Sequence, residues 1–209
     1  MFRVKLTNNS KKLVQYKENS PLEKELKKTK SLLDEPYKNQ NAAYLFSLME
    51  IFNSYKQTIP AKHVSIAWLK CAELLTEFDL LKENMVYFDN ACFPGSFILA
   101  TYHLYQQKFK KPLIQWYGSS LIEINDLNAE PLSDKYGLYK RYSEHFLMNK
   151  TNNGDVLNVA NIEDWAKKIK PDLYTSDLGF DVSADYNSQE LIHSTANMGQ
   201  IISGMCCLK

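Results

Sequence analysis

Three segments of the 209-residue chain end a short apolar run on residues that can do chemistry. The first is Val86-Tyr87-Phe88-Asp89-Asn90-Ala91-Cys92-Phe93-Pro94-Gly95-Ser96-Phe97. Its apolar run delivers Asp89 to the tip of a strand, and Pro94-Gly95 then bends the chain into a helix. A glycine at such a bend lets backbone approach a ligand closely, and the amino end of the helix favours a carboxylate. The second segment, Asp172-Leu173-Tyr174-Thr175-Ser176-Asp177-Leu178, puts Asp177 just past a buried run. The third, Gly204-Met205-Cys206-Cys207-Leu208-Lys209, reads as an apolar strand with a lysine at its tip. Each segment alone has an ordinary explanation: a strand-to-helix turn, a capping or solvent-facing aspartate, a surface lysine. Together they would converge, because ligands of a parallel α/β sheet sit beyond the carboxyl ends of its strands, near the switch in strand order.

The elements that must position these residues are legible as alternating patterns. Ser20-Pro21 starts a helix with serine at the cap and proline in the first turn, and Leu22, Leu26 and Leu33 mark its thin apolar stripe. Pro36 ends that segment, and a second helix is expected over 42–55, with Leu45, Leu48, Met49 and Phe52 at helical spacing, closed by Pro60. Ser65 caps a helix through Leu75, with Trp68, Leu69, Ala72 and Leu75 on one face. Strands are expected at 85–88, 113–117, 173–176 and 205–208, and helices at 97–107, 162–169 and 188–203. Residues 118–153 are polar and turn-rich, and read as an insertion. Short apolar runs alternating with helices predict an α/β fold with a parallel sheet.

Bulk properties exclude some classes. Hydrophobic residues at 44% and charged residues at 23% suit a globular domain, and this length buries a core without staples. The net charge of +1 gives no argument for a nucleic-acid partner. Residues 1–60, however, hold eleven Lys/Arg against six Asp/Glu, which fits either a phosphate-neutralising arm or a solvated lysine-rich helix. No G-x-G-x-x-G is present, so a dinucleotide fingerprint is absent. Cys71, Cys206 and Cys207 lie in apolar runs, as small buried hydrophobes of a reducing compartment do. The four histidines show no ligand spacing to the cysteines, so no metal is expected. No run has signal-peptide or membrane-spanning length, and a cytoplasmic protein is expected.

Taken in order, the segments carry a resemblance. SIAWLKCAELLTEFDLLKENMVYFDNACFPGSF, from Ser65 to Phe97, resembles the opening of FtsJ-like RNA ribose 2′-O-methyltransferases. That opening has a serine-led helix carrying a lysine, a glutamate three residues on, then a strand ending D-x-x-x-x-P-G-x-aromatic. DLYTSDLGFDV resembles the family's D-L-v-x-S-D segment, and SGMCCLK its G-G-x-x-v-x-K strand. The match runs from Ser65 to Lys209 around the insertion, whose WYGSSL, DKYGLYKRY and NGDVLNV phrases are similar to FtsJ-like enzymes of large cytoplasmic DNA viruses.

The resemblance implies a Rossmann-like S-adenosylmethionine methyltransferase domain over 61–209, preceded by a basic helical extension over 1–60. It implies S-adenosyl-L-methionine as cofactor and RNA, at the capped 5′ end of mRNA, as partner. Of the family's Lys-Asp-Lys-Glu set, Lys70 matches the first lysine, Asp177 the aspartate and Lys209 the second lysine. A lysine acts as base only if its pKa falls, which desolvation and a second ammonium promote; Lys209 would take that role with Lys70 assisting. Asp89, Asn90, Pro94, Gly95, Ser96 and Phe97 match the cofactor motif, Asp155 the acid that meets the adenine, and Ser119 the ribose position.

Two departures stand against this. The family reads G-A-A-P-G-G after the first aspartate, whereas Asn90 to Ser96 is bulkier here, which implies a narrower or reshaped pocket. The family's glutamate and its last strands have no counterpart, so the sheet is expected to be incomplete at its carboxyl end and the chain to be a fragment or a truncated reading frame. That gap keeps a second reading open, a non-catalytic RNA-binding or scaffolding subunit. An unrelated α/β domain is a third.

Overall fold

In a computed structural model of the chain, the described residues are 21–32, 42–121, 134–148, 153–179 and 189–209. The chain divides into two compact units, one of residues 1–55 and 180–192, the other of 56–179 and 193–209. The first contains α1 (Pro21–Ser31) and most of α2 (Ala42–Thr58). On α1, Leu22 and Leu26 are exposed, and the rest of the expected stripe, Leu33, lies outside the described residues.

The second unit holds a three-stranded parallel sheet in the order β2-β1-β3, from β1 (Tyr87–Asn90), β2 (Trp116–Ser119) and β3 (Leu173–Ser176). The register pairs Asp89 with Gly118 on one side and with Thr175 on the other. All four residues of β1 are buried, as a central parallel strand covered on both faces requires. Side chains alternate across a strand, so Tyr87 and Phe88 enter different cores. Tyr87 joins Trp68, Cys71, Ile98 and Ala100 beneath α3 (Ile66–Glu77) and α4 (Ser96–Phe109). Phe88 joins Ile162, Trp165 and Cys207 beneath α6 (Val159–Lys168) and α7 (Gln189–Cys207). The layers are therefore helix, sheet, helix, a Rossmann-like α/β arrangement. Among the described residues no helix is long and apolar enough to cross a membrane.

Most elements stand where the patterns put them, with three instructive differences. β1 and β2 begin two and three residues later than their apolar runs. Met85 and Leu113 are buried, but the ladder itself extends onto Asp89-Asn90 and Gly118-Ser119. Backbone hydrogen bonds are indifferent to side-chain polarity, so a strand can carry polar residues to its functional end. Within the expected insertion lies a short helix, α5 (Leu138–Arg141).

The third difference overturns an expectation: Gly204–Leu208 is no strand. α7 continues through Cys207, and the Leu208 N–H donates to the Gly204 carbonyl at 3.0 Å, a helical bond. The cause is a stripe of small buried residues, Ala196, Gly199, Ser203 and Cys207, which recurs at helical spacing and lets α7 lie close on the sheet. A short apolar run has no period of its own and is readily mistaken for a strand.

Candidate active site

β1 is flanked by β2 on one side and β3 on the other, so the strand order reverses beside it and a crevice opens at the carboxyl ends of β1 and β3. Ala67, Asp89, Phe93, Pro94, Ser96, Phe97 and Asp177 are among the residues that line a cleft there. Local chemistry builds its walls. Ser65 caps α3, accepting from the Trp68 N–H at 3.1 Å, and its hydroxyl donates to Ser96 Oγ at 2.8 Å. The start of α3 is thereby tied to the first residue of α4.

After β1 the chain turns sharply, with Ala91 at φ 55 and a cis Phe93–Pro94 peptide, and reaches Gly95 at φ 107 as the cap of α4. That φ is open to glycine and strained for any side chain. A β-carbon at Gly95 would also collide with Leu138 of α5, which roofs the turn. The cap has no side-chain partner for the first N–H groups of α4, so that helix end is left to an anion or to water.

Lys70 projects from α3 and its Nζ donates to Asp177 Oδ2 at 2.7 Å, across 107 positions of sequence. Both side chains are about half exposed, at 52% and 41%, at the mouth of the cleft. Asp89 lies deeper. It is 1% exposed, its Oδ1 accepts from Thr175 Oγ1 at 2.7 Å, and its Oδ2 is buried with no partner among the described residues. Burial pushes its carboxyl up to about 8 against the opposing effect of the Thr175 hydrogen bond, and the negative Asp177 adds to the rise. Asn90 is equally buried; its amide nitrogen has no partner among the described residues, and its Oδ1 accepts weakly from Ser176 Oγ at 3.5 Å.

Of the residues the sequence singles out, Asp89, Pro94, Ser96, Phe97 and Asp177 meet on the cleft. Gly95 forms its turn, and Lys70 joins through Asp177. Ser119 and Asp155 stand near each other, since the Gly154 N–H donates to the Ser120 carbonyl at 3.0 Å and Gly154 packs on Ser119. Neither is on the cleft wall. Ser119 is fully buried and its hydroxyl donates to the Leu147 carbonyl at 3.1 Å. Asp155 is half-buried and one carboxylate oxygen accepts from the Leu157 N–H at 2.8 Å.

Lys209 stands away from the cleft. Its Nζ donates to Asp172 Oδ1 at 2.6 Å, and Asp172 Oδ2 accepts from the Val86 N–H. Asp172 and Val86 precede β3 and β1, so this pair sits at the amino edge of the sheet, roughly 16 Å of strand from Asp177. The Lys209 hydrogen bond holds the Asp172 carboxyl below the usual carboxylate range. Gly204–Cys207 is helical, so the lysine follows a helix end and not a strand end.

Two residues that sequence reasoning missed complete the site. Thr175 reaches Asp89 only through the β1–β3 register, and Leu138 reaches Gly95 only through the fold of the insertion. Neither relationship has a local signal. The four cysteines are all free, and burial pushes Cys71 up to about 12, as inert apolar packing implies.

A Rossmann-like sheet with two carboxylates and an open helix end at its switch point is an arrangement that suits a small polar ligand. The chain belongs to the FtsJ-like methyltransferase family, whose family model matches residues 63–208. It is 30% identical over 194 residues to the probable methyltransferase EP424R of African swine fever virus, covering 85% of this chain and 45% of that protein. It is 26% identical over 162 residues to the cap-specific mRNA (nucleoside-2′-O-)-methyltransferase 2 of Drosophila melanogaster, covering 72% of this chain and 23% of that protein. The chain thus spans less than half the length of these curated relatives. No solved structure matches it significantly.

Proposed function

We propose that the chain carries the S-adenosyl-L-methionine cleft of an enzyme that methylates a ribose 2′-hydroxyl of RNA near the 5′ cap of mRNA. The observation that carries this reading is the convergence of Asp89, the open end of α4 and the Lys70–Asp177 pair on one crevice.

The residues present fit the amino-acid end of the cofactor. Asp89 Oδ2, buried and unpartnered among the described residues, suits an ammonium, and the uncapped N–H groups at the start of α4 suit a carboxylate. Asp155, off the cleft wall, takes the adenine in this reading on the family resemblance alone. When bound, the cofactor supplies an electrophilic sulfonium methyl. Pro94 and Phe97 exclude water from one wall of the cleft. Lys70 stands at the mouth with its charge fixed by Asp177, where it can donate to and orient an incoming hydroxyl. Positioning of this kind supplies much of the rate in a transfer between two bound substrates. The cap-proximal substrate rests on the name of the Drosophila relative. The basic segment 1–60 supplies phosphate contacts in this reading.

A second reading is favoured by one observation. With Lys209 at the amino edge of the sheet, the cleft holds a single lysine among its described residues, as a non-catalytic RNA-binding subunit could tolerate. The test is transfer of a labelled methyl group to capped RNA, followed by nuclease digestion to locate it. Label in a 2′-O-methylated nucleotide next to the cap supports the enzyme. Cofactor binding with no label on any RNA supports the subunit.

A further inference from the structure

Two polar side chains of the buried sheet have no part in that chemistry. Tyr87 and Thr175 lie on the same sheet face as Asp89, because Tyr87 is two residues before it and Thr175 is its register partner on β3. The Thr175 hydroxyl donates to Asp89 Oδ1 at 2.7 Å and lies 2.7 Å from the Tyr87 hydroxyl. A hydroxyl has one proton to give, so a Thr175 that donates to Asp89 accepts from Tyr87. The result is a directed chain, Tyr87 to Thr175 to Asp89 Oδ1, which leaves Oδ2 as the free atom on a residue that lines the cleft.

We propose that Tyr87 and Thr175 are positioning residues that hold Asp89 as a proton-exchanging receptor for the ammonium group of the bound ligand. The inference rests on the cofactor reading of the cleft and deepens it. With Oδ1 occupied as an acceptor, the proton of a neutral Asp89 sits on Oδ2, the atom a ligand would meet. An ammonium arriving there displaces that proton to solvent, and a buried neutral acid becomes half of an ion pair. Burial, which pushes the carboxyl up to about 8, keeps the proton in place at neutral pH until the ligand arrives. Among the described residues, the titratable groups whose charge acts on Asp89 include no cation. They are Cys71 from α3, Tyr87 and Cys92 around β1, Asp177 beyond β3, and Tyr174, which acts from the opposite face of the sheet. Lys70, the nearby ammonium, is bound to Asp177.

The experiment is titration calorimetry of the whole chain with S-adenosylhomocysteine, in buffers of different ionisation enthalpy and across pH 6 to 9. Wild type should release between about half a proton and one proton per ligand near pH 7, with affinity rising toward pH 8. Thr175→Val removes a hydrogen bond that favours the ionised carboxyl. It should weaken binding at pH 7 by about tenfold and move the rise in affinity to higher pH. Thr175→Ser keeps the hydroxyl and should restore both, which separates the chain from a packing effect. Tyr87→Phe should shift the profile in the same direction by less. Binding without proton release, with an unchanged pH profile in a folded Thr175→Val, overturns the inference and leaves the cofactor reading intact. Absence of binding by folded wild type overturns both.

Discussion

Lys70 and Asp177, brought together from 107 positions apart in the chain, meet at 2.7 Å, one from the helix before the sheet and the other from just beyond its edge strand. The pair is half exposed, so its value to folding is small, and solvent screens its attraction. Its place at the mouth of a cleft floored by Asp89 gives it a role in orienting substrate instead. Lys70→Ala and Asp177→Ala should each change unfolding free energy by under about 1 kcal/mol. Methyl transfer should fall by about a hundredfold or more in each. Denaturant unfolding beside a transfer assay checks the split, and near-normal turnover in either variant would remove both residues from the site.

Lys209 should behave differently. Its partner Asp172 lies at the amino edge of the sheet, and the pair is largely exposed on the lysine side. Lys209→Ala should cost under about 1 kcal/mol of stability and leave cofactor affinity unchanged. Loss of binding in a folded variant would return Lys209 to the cleft.

The buried Asp89 makes stability depend on pH with a definite sign. Its carboxyl is raised from 3.8 to about 8 by burial, so between those values the folded chain holds a proton that the unfolded chain has released. The associated stability is full below about pH 4 and is lost as pH rises through about 8. Asp89→Asn cannot titrate, so the difference in stability between variant and wild type should move in the variant's favour from pH 5 to pH 8.5. A difference that stays constant over that range would show that Asp89 is ionised in the fold.

The basic amino-terminal segment should contribute to RNA affinity through counterion release. Lys24 and Lys28 are exposed on α1. Lys24→Glu with Lys28→Glu should lower the slope of log affinity against log salt by roughly 0.7 for each phosphate left without its lysine. An unchanged slope would leave α1 as a solvated helix.

How much of this was legible follows from the range of each signal. Ser65, Trp68 and Leu75 are read correctly because capping and helical spacing are local, although Leu69 and Ala72 of the expected face are only partly buried, and Leu173–Ser176 is read as a strand because an apolar run between breakers is local too, although it is half-buried throughout. The Asp89 to Phe97 segment is legible as a strand, a turn and a helix start. Its partners are not, because Thr175 arrives by sheet register and Leu138 by the folding of a long insertion. The strand expected at the end of the chain fails for a physical reason: the run Met205 to Leu208 is apolar on every residue, while the helical signal lies in small residues, Ala196, Gly199 and Ser203, that hydrophobic patterning underweights. Ser119, expected just past its strand, ends β2 instead, and a buried serine whose hydroxyl is already committed cannot be told from an exposed one in sequence.

Everything proposed for the cleft depends on the crevice beside Asp89 and Gly95 receiving S-adenosylmethionine, and calorimetric binding of S-adenosylhomocysteine to wild type and Gly95→Val probes that step alone. Valine at φ 107 is strained by about 1–3 kcal/mol and collides with Leu138, which distorts the turn while the sheet and its two cores remain. Wild type should bind one-to-one, and the variant should lose at least about tenfold in affinity while retaining its far-ultraviolet spectrum. Equal affinity in the two proteins, or no binding by folded wild type, would contradict the assignment.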